Sequence, residues 1–172
     1  MERLNSVDHF HWLRQRLIAD RKSHIPTLII SAGTCGQASG ANDLIRIAKR
    51  ELLAKKLTER IRLRITGCHG FCEMEPSVLV EPQGTFYPKV GNKDMPRIVS
   101  AVAQGEVLGD LLFKDPATDA PIEKQNDIPF FKKQVRTLLA RNEKIDPIRI
   151  FDYIANDGYL ALARVLSRGD AR

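Results

Sequence analysis

Three cysteines carry most of the chemistry this chain has to offer. Two of them share the loop Thr66-Gly67-Cys68-His69-Gly70-Phe71-Cys72-Glu73-Met74-Glu75-Pro76, and the third, Cys35, lies in a second small-residue loop running from Ser31 to Gly40. A thiolate is a metal ligand and a redox nucleophile, and glycine-rich backbone around it offers N–H donors that stabilise its charge and can wrap a bulky inorganic core. Cys68 and Cys72, with Gly70 between them, suit two sulfurs aimed at one place. That spacing alone fits a redox pair equally well; Cys35 in a matching loop is what adds weight to a metal site. Glu73 and Glu75 have the look of an acid–base pair, but beside Pro76 and a strand they read as loop caps or a docking surface.

Each cysteine loop follows an apolar run, Leu28-Ile29-Ile30 for one and Ile61 to Ile65 for the other. If those runs are parallel neighbouring strands, both loops leave the same edge of a sheet, where ligand sites of open α/β sheets lie. The rest of the pattern agrees. Val7, Phe10, Leu13, Leu17 and Ile18 predict a helix over 6–22, capped by Asn5 or Ser6, with Trp12 on its flank. His9 and His11 fall on different faces of that helix, and with His24 they read as surface histidines.

Thr27 to Ser31 is expected as a buried strand, 41–57 as a helix, and Ile61 to Thr66 as a strand with Ile61, Leu63 and Ile65 inward and Arg60, Arg62 and Arg64 outward. Residues 77–81 and 85–90 are two further strands whose short Pro82-Gln83-Gly84 connection demands an antiparallel hairpin, with Pro88 placing the last strand at an edge. A helix over 93–104 ends at Gly105. This order predicts an α/β fold, a thioredoxin-like sandwich with a mixed four-stranded sheet, followed by a linker and a short C-terminal helical segment.

The expected organisation is an N-terminal helix over 1–25, the sandwich over 26–113, an extended linker over 114–128 and a helical segment over 129–172. In the last, a helix over 129–142 is expected to turn Phe131, Val135, Leu138 and Leu139 inward. Asp146-Pro147 starts a second that runs to about 155, and Tyr159 to Leu166 forms a third. Three short helices bury little by themselves and are expected to dock on a partner.

Composition bounds the function. Among 172 residues, 43% are hydrophobic and 28% charged, ordinary globular values, and no stretch approaches the roughly 20 apolar residues of a membrane span. The first residues lack the basic and then apolar regions of a secretion signal, so a cytoplasmic protein without membrane insertion is expected. There, three cysteines read as metal ligands or redox groups rather than a disulfide framework. The formal charge is +6, and eight basic residues fall between Arg46 and Arg64. No aromatic residue interrupts them, so they read as a solvated face and not as a nucleic-acid platform.

The segments Gly33-Thr34-Cys35-Gly36-Gln37-Ala38-Ser39-Gly40-Ala41 and Thr66 to Val80 resemble the cluster loops of the thioredoxin-like 2Fe-2S ferredoxin family. That module occurs as the small subunit of NADH:quinone oxidoreductase (complex I) and of NAD-reducing hydrogenases, and also fused ahead of their flavin-bearing, NADH-oxidising subunit. Phe130-Phe131-Lys132-Lys133-Gln134 and the stretch from Ile145 to Leu162 resemble the opening helices of that flavin subunit. Together the two similarities cover about 27–166.

The resemblance implies an electron-transfer module binding a 2Fe-2S cluster. Cys35, Cys68 and Cys72 would be metal ligands, with Gly33, Thr34, Gly36, Gly67 and Gly70 shaping the loops. A flavin/NADH-binding subunit or domain and other iron–sulfur subunits would be the partners. The family's cluster takes four cysteines, two per loop. Laid over this sequence, the first-loop pair falls on Ser31 and Gly36, with Cys35 one position early.

The fourth ligand is then open between Ser31 and His69, since histidine replaces cysteine in some clusters. A cluster-free interaction module and a zinc site of Cys35, Cys68, Cys72 and His69 stand beside this reading. No Rossmann or P-loop spacing occurs, so the chain is not expected to oxidise NADH by itself.

Overall fold

The structure, a computed structural model, describes residues 3–21 and 24–169. It divides into two compact units, one made of residues 25–144 and the other of the N-terminal segment together with residues from Ile145 onward.

The first unit is built on a four-stranded mixed sheet of β1 (Thr27–Ser31), β2 (Arg62–Thr66), β3 (Val78–Glu81) and β4 (Thr85–Tyr87) in the order β2-β1-β3-β4. β1 and β2 are parallel, with Ser31 opposite Thr66, while β3 is antiparallel to both β1 and β4. This is the sheet of a thioredoxin-like sandwich, with the crossover made by the short helix α2 (Thr34–Ala38) and by α3 (Ala41–Ala54). β1 is buried at every position, as a central strand requires.

β2 departs from clean alternation and is half-buried along most of its length. Its edge position leaves the core face only half-buried, and its arginine face is partly sheltered by pairing: Arg64 meets Glu81 at 3.0 Å. On the other edge, β4 ends just before Pro88.

One face of the sheet, with Leu28, Ile30, Val78 and Val80, packs against α3 and α4 (Met95–Gln104). The helix α4 ends at Gly105, whose φ of 74° is the left-handed conformation that closes a helix. The opposite face carries Ile29, Leu79 and Phe86 and is covered by Phe71, Phe113, Ile128 and Phe131. The expectation of an extended linker over 114–128 is therefore corrected. The stretch forms the two-residue strands β5 (Phe113–Lys114) and β6 (Pro121–Ile122), which pair antiparallel, followed by a 3-10 turn at Gln125–Asp127. A sheet with two apolar faces needs two covers, and this segment is the second.

The helix expected over 129–142 is shorter. Only α5 (Pro129–Lys132) is helical, and Val135 and Leu138, expected inward, are 96% and 93% exposed. Side chains of the following turns hold one of the cysteine loops.

The second unit packs α1 (Val7–Arg21) with α6 (Ile150–Ala155) and α7 (Leu160–Arg168) around Phe10, Ile154 and Ala163. Ser6 is the cap of α1, its Oγ accepting the His9 N–H at 3.1 Å. The expected end of that helix at residue 22 lies outside the described residues. Trp12 is exposed, with the Arg16 guanidinium 5.4 Å from its ring centre. Asp146 makes a turn by accepting the Ile148 N–H at 3.1 Å, so α6 starts at Ile150 and not at Pro147. Arg21 and Asp152 pair at 2.7 Å within this unit.

Among the described residues no helix is long and apolar enough to cross a membrane.

Candidate metal centre

The two cysteine loops leave the C-terminal ends of adjacent parallel strands. The Ala32 N–H donates to the Thr66 carbonyl at 2.9 Å, so they remain tied one residue past the strands. Gly33 then opens α2, which carries Cys35 and is braced by Gln37, whose Nε2 donates to the Ala32 carbonyl at 2.8 Å. Thr34, its first residue, is exposed. Gly36 is buried with no room to spare: a β-carbon there would meet the Ser31 carbonyl oxygen at 2.5 Å.

In the second loop Gly70 has a φ of 87°, a left-handed turn between Cys68 and Cys72. Its N–H donates to Cys68 Sγ at 3.2 Å. Phe71 anchors the turn, stacking on Phe130 at 4.1 Å between ring centres and meeting Phe131 edge-on at 5.4 Å. Cys72 begins a single 3-10 turn that ends at Met74.

All three cysteines are free, Cys35 and Cys72 exposed and Cys68 half-buried. The Cys72 thiol has both Cys35 and Cys68 as side-chain neighbours that act on its ionisation. The Cys35 thiol beside it raises the Cys72 pKa above the ordinary thiol value. Burial raises that of Cys68, with the Gly70 N–H pulling the other way. Crowded thiols resist ionising together unless a cation neutralises them, so the arrangement favours a metal or a shared proton.

Ser31 ends β1 and is 1% exposed. Its Oγ donates to the Gly67 carbonyl at 3.4 Å, and the Ser31 side chain acts on Glu75 to oppose the rise in that carboxyl's pKa. Glu75 accepts from the Ser77 N–H at 2.9 Å and the Ser77 hydroxyl at 3.2 Å, while burial raises its pKa. Glu75 is thus a buried capping carboxylate at the foot of the loop. Glu73 is exposed.

His69 does not join the thiols. It is 1% exposed, its Nε2 is 2.7 Å from Thr66 Oγ1, and burial lowers its pKa to about 4, which keeps the ring neutral. Among the described residues no three His, Cys, Asp or Glu side chains are grouped to hold a single metal ion. The set of three cysteines and one histidine considered for zinc is not assembled, and the three cysteines are not grouped for a single ion either.

Residues that the sequence pattern did not single out hold the second loop from outside. Arg136 donates to the His69 carbonyl and pairs with Glu143, and Asn142 Nδ2 donates to the Cys68 carbonyl at 3.0 Å. A β-carbon on Gly67 would come to 3.4 Å from Asn142 Nδ2, and one on Gly70 to 3.2 Å from Leu139. The glycines were a usable signal, since close approach by another segment is a standard reason for glycine.

With the site in view, comparison with known proteins adds a relative. Over 67 residues, 38% of its length, the chain is 33% identical to a 2Fe-2S ferredoxin of Clostridium pasteurianum. The chain is similar to a 2Fe-2S ferredoxin. The match spans 66% of that ferredoxin, just under two thirds of its length. Among solved structures, the thioredoxin-like [2Fe-2S] ferredoxin of Aquifex aeolicus overlays with a TM-score of 0.49 at 19% identity, covering 54% of this chain and 100% of that one. Its Cys59Ser variant gives 0.48 at 19% identity, over 52% and 99%. No family model matches the chain.

Proposed function

We propose that this chain is a one-electron carrier, holding a 2Fe-2S cluster between its two cysteine loops and exchanging electrons with a flavin-bearing, NAD(P)H-linked oxidoreductase subunit. The observation that carries the reading is that both cysteine loops leave the C-terminal ends of two parallel neighbouring strands, with Cys35 and Cys68 the side-chain neighbours that act on Cys72. The 33% identity to a 2Fe-2S ferredoxin supports it.

The donor set fits the group. A two-iron cluster divides its four protein ligands between two metal atoms, so it does not need the convergence on one point that a zinc ion requires. Cys35, Cys68 and Cys72 would be ligands, and Ser31, buried at the first-loop position, is the candidate for the fourth. A cluster held there supplies a one-electron couple. The chain's own residues do the rest. Gly33 and Gly36 let the loops close, the Gly70 N–H donates to sulfur, and Phe71 and the aromatic cluster beneath it keep the turn rigid. No substrate bond is made or broken by these groups.

The likeness of 130–134 and 145–162 to the opening of a flavin subunit supports a flavin/NADH-binding partner, with other iron–sulfur subunits as further electron acceptors, in the cytoplasm. Neither membrane insertion nor nucleic acid belongs to this reading.

A cluster-free interaction module is the second reading, favoured by one observation. Ser31 already donates to the Gly67 carbonyl, and Glu75 accepts from Ser77, so the buried polar groups at the foot of the loops have partners without a metal.

The visible spectrum, iron content and sulfide content of anaerobically purified protein separate the two. Brown protein with two irons and two sulfides per chain, bleached by dithionite, supports the carrier. Colourless, metal-free protein overturns it in favour of the interaction module.

A further inference from the structure

We propose that Arg136 sets the strength with which the loop donates to the Cys68 sulfur, acting through the single peptide unit that joins His69 to Gly70. This deepens the electron-carrier reading and rests on it for its redox consequence, though not for its geometry.

The carbonyl of that peptide accepts from Arg136, and its N–H, carried by Gly70, donates to Cys68 Sγ at 3.2 Å. A trans peptide is planar with its C=O and N–H on opposite sides, so fixing one end aims the other. Arg136 therefore orients the donor without touching the sulfur.

The guanidinium does more than orient. A charged donor on the carbonyl draws electron density through the amide, and hydrogen bonds linked in this way strengthen one another. The Gly70 N–H is the stronger donor for it.

Arg136 is itself fixed on three sides. Its second arm pairs with Glu143, which also accepts from Gln125 Nε2 at 3.2 Å, and its guanidinium lies 4.7 Å from the Phe131 ring centre. Asn142 treats the preceding peptide alike, holding the Cys68 carbonyl at 3.0 Å. Two successive carbonyls are thus held by the 136–143 segment.

Arg136 is a positioning residue. Hydrogen bonds to a ligating sulfur help set the potential of an iron–sulfur centre, and stronger donation favours the reduced form. Loss of Arg136 is expected to make reduction harder.

The first measurement is the 1H–15N spectrum of the full-length, metal-free protein. The Gly70 amide proton should lie downfield of the other glycines and exchange slowly. In Arg136→Met it should move toward them and exchange about tenfold faster, the scale of one charge-assisted hydrogen bond. Arg136→Lys, which keeps a charged donor, should recover at least half of the shift.

The second measurement is a redox titration of anaerobically purified protein. At a fixed ambient potential, Arg136→Met should lower the reduced-to-oxidised ratio about tenfold, 59 mV for a one-electron couple, at unchanged iron content. A Gly70 amide in the wild-type protein that sits among the solvent-exposed glycines overturns the proposal, whether or not any variant folds. So does an unmoved Gly70 amide or an unmoved potential in a folded Arg136→Met. Colourless protein would sink the cluster reading and leave the amide measurement standing.

Discussion

Gly33 and Cys68, 35 positions apart in the chain, touch so closely that a β-carbon on Gly33 would lie 2.8 Å from the β-carbon of Cys68 and 3.1 Å from its Cα. The atoms in the way are backbone and the first side-chain carbon, neither of which can swing aside. This contact sets the separation of the two cysteine loops and hence of their sulfurs.

Gly33→Ala should push the loops apart. Overpacking of this kind costs about 1–3 kcal/mol, so urea denaturation of the metal-free protein should show a loss in that range. The same variant should retain less than half of the wild-type iron after anaerobic purification. Wild-type stability together with wild-type iron would show that the loops part freely.

The fourth ligand gives a gain-of-function experiment. The resemblance to the 2Fe-2S family would place a cysteine at Ser31, whose hydroxyl donates to the Gly67 carbonyl at 3.4 Å. Thiolate is a softer and more readily ionised donor than hydroxyl. Ser31→Cys should therefore raise iron occupancy on reconstitution and slow bleaching in air several-fold. No change in either would remove position 31 from the ligand set.

Much of the sheet was legible because its signals are local. Leu28-Ile29-Ile30 and Leu63 with Ile65 announce strands, and Gly84 in a three-residue connection announces the hairpin. The cover over the second face was not, because Phe113, Ile122 and Ile128 are spaced at neither period 2 nor 3.6. A stricter demand would have found it: Ile29 alternates with Leu28 and Ile30, so the central strand has an apolar side facing away from α3 and α4 and something must bury it. Arg136 and Asn142 were harder, since each acts on a carbonyl some seventy residues earlier and neither residue type announces a backbone partner. At the thiols, the cysteine types and loop positions were readable. That both other cysteines act on Cys72 was not, because it depends on how α2 and the Gly70 turn aim the side chains.

Phe113 tests whether the segment after α4 is a cover or a tether. It is buried among Ile29, Phe71 and Phe86. Phe113→Ala should destabilise the protein by about 3–5 kcal/mol, as for a large core aromatic. A loss under about 1 kcal/mol by thermal or urea unfolding would mean the stretch is only loosely attached.

Tyr87 gives a pH dependence away from the thiols. Its hydroxyl is buried and accepts the Leu108 N–H at 3.1 Å, and burial raises its pKa above 10, with Glu123 and Asp110 adding to the effect. Above pH 10 the unfolded chain releases a proton that the folded one retains. The Tyr87 contribution to stability is therefore present below pH 10 and lost as the pH rises through and beyond it. Tyr87→Phe should lower stability at pH 7 by about 1 kcal/mol and flatten the decline between pH 10 and 11. An equally steep decline in the variant would assign that titration elsewhere.

The cysteines should not be equivalent. Cys35 and Cys68 both act on the ionisation of Cys72, whereas Cys72 is the cysteine that acts on Cys68. Cys72→Ala removes the cysteine on which both others act, so iron should fall to background. Cys68→Ala should do the same, because it also removes the sulfur that the Gly70 N–H stabilises. Cys35→Ala takes away an exposed donor at the rim and leaves the second-loop pair intact, so partial iron with an altered visible spectrum is expected. Iron and sulfide analysis of the three variants decides it: full iron in both Cys68→Ala and Cys72→Ala would mean the metal is held somewhere other than between these loops.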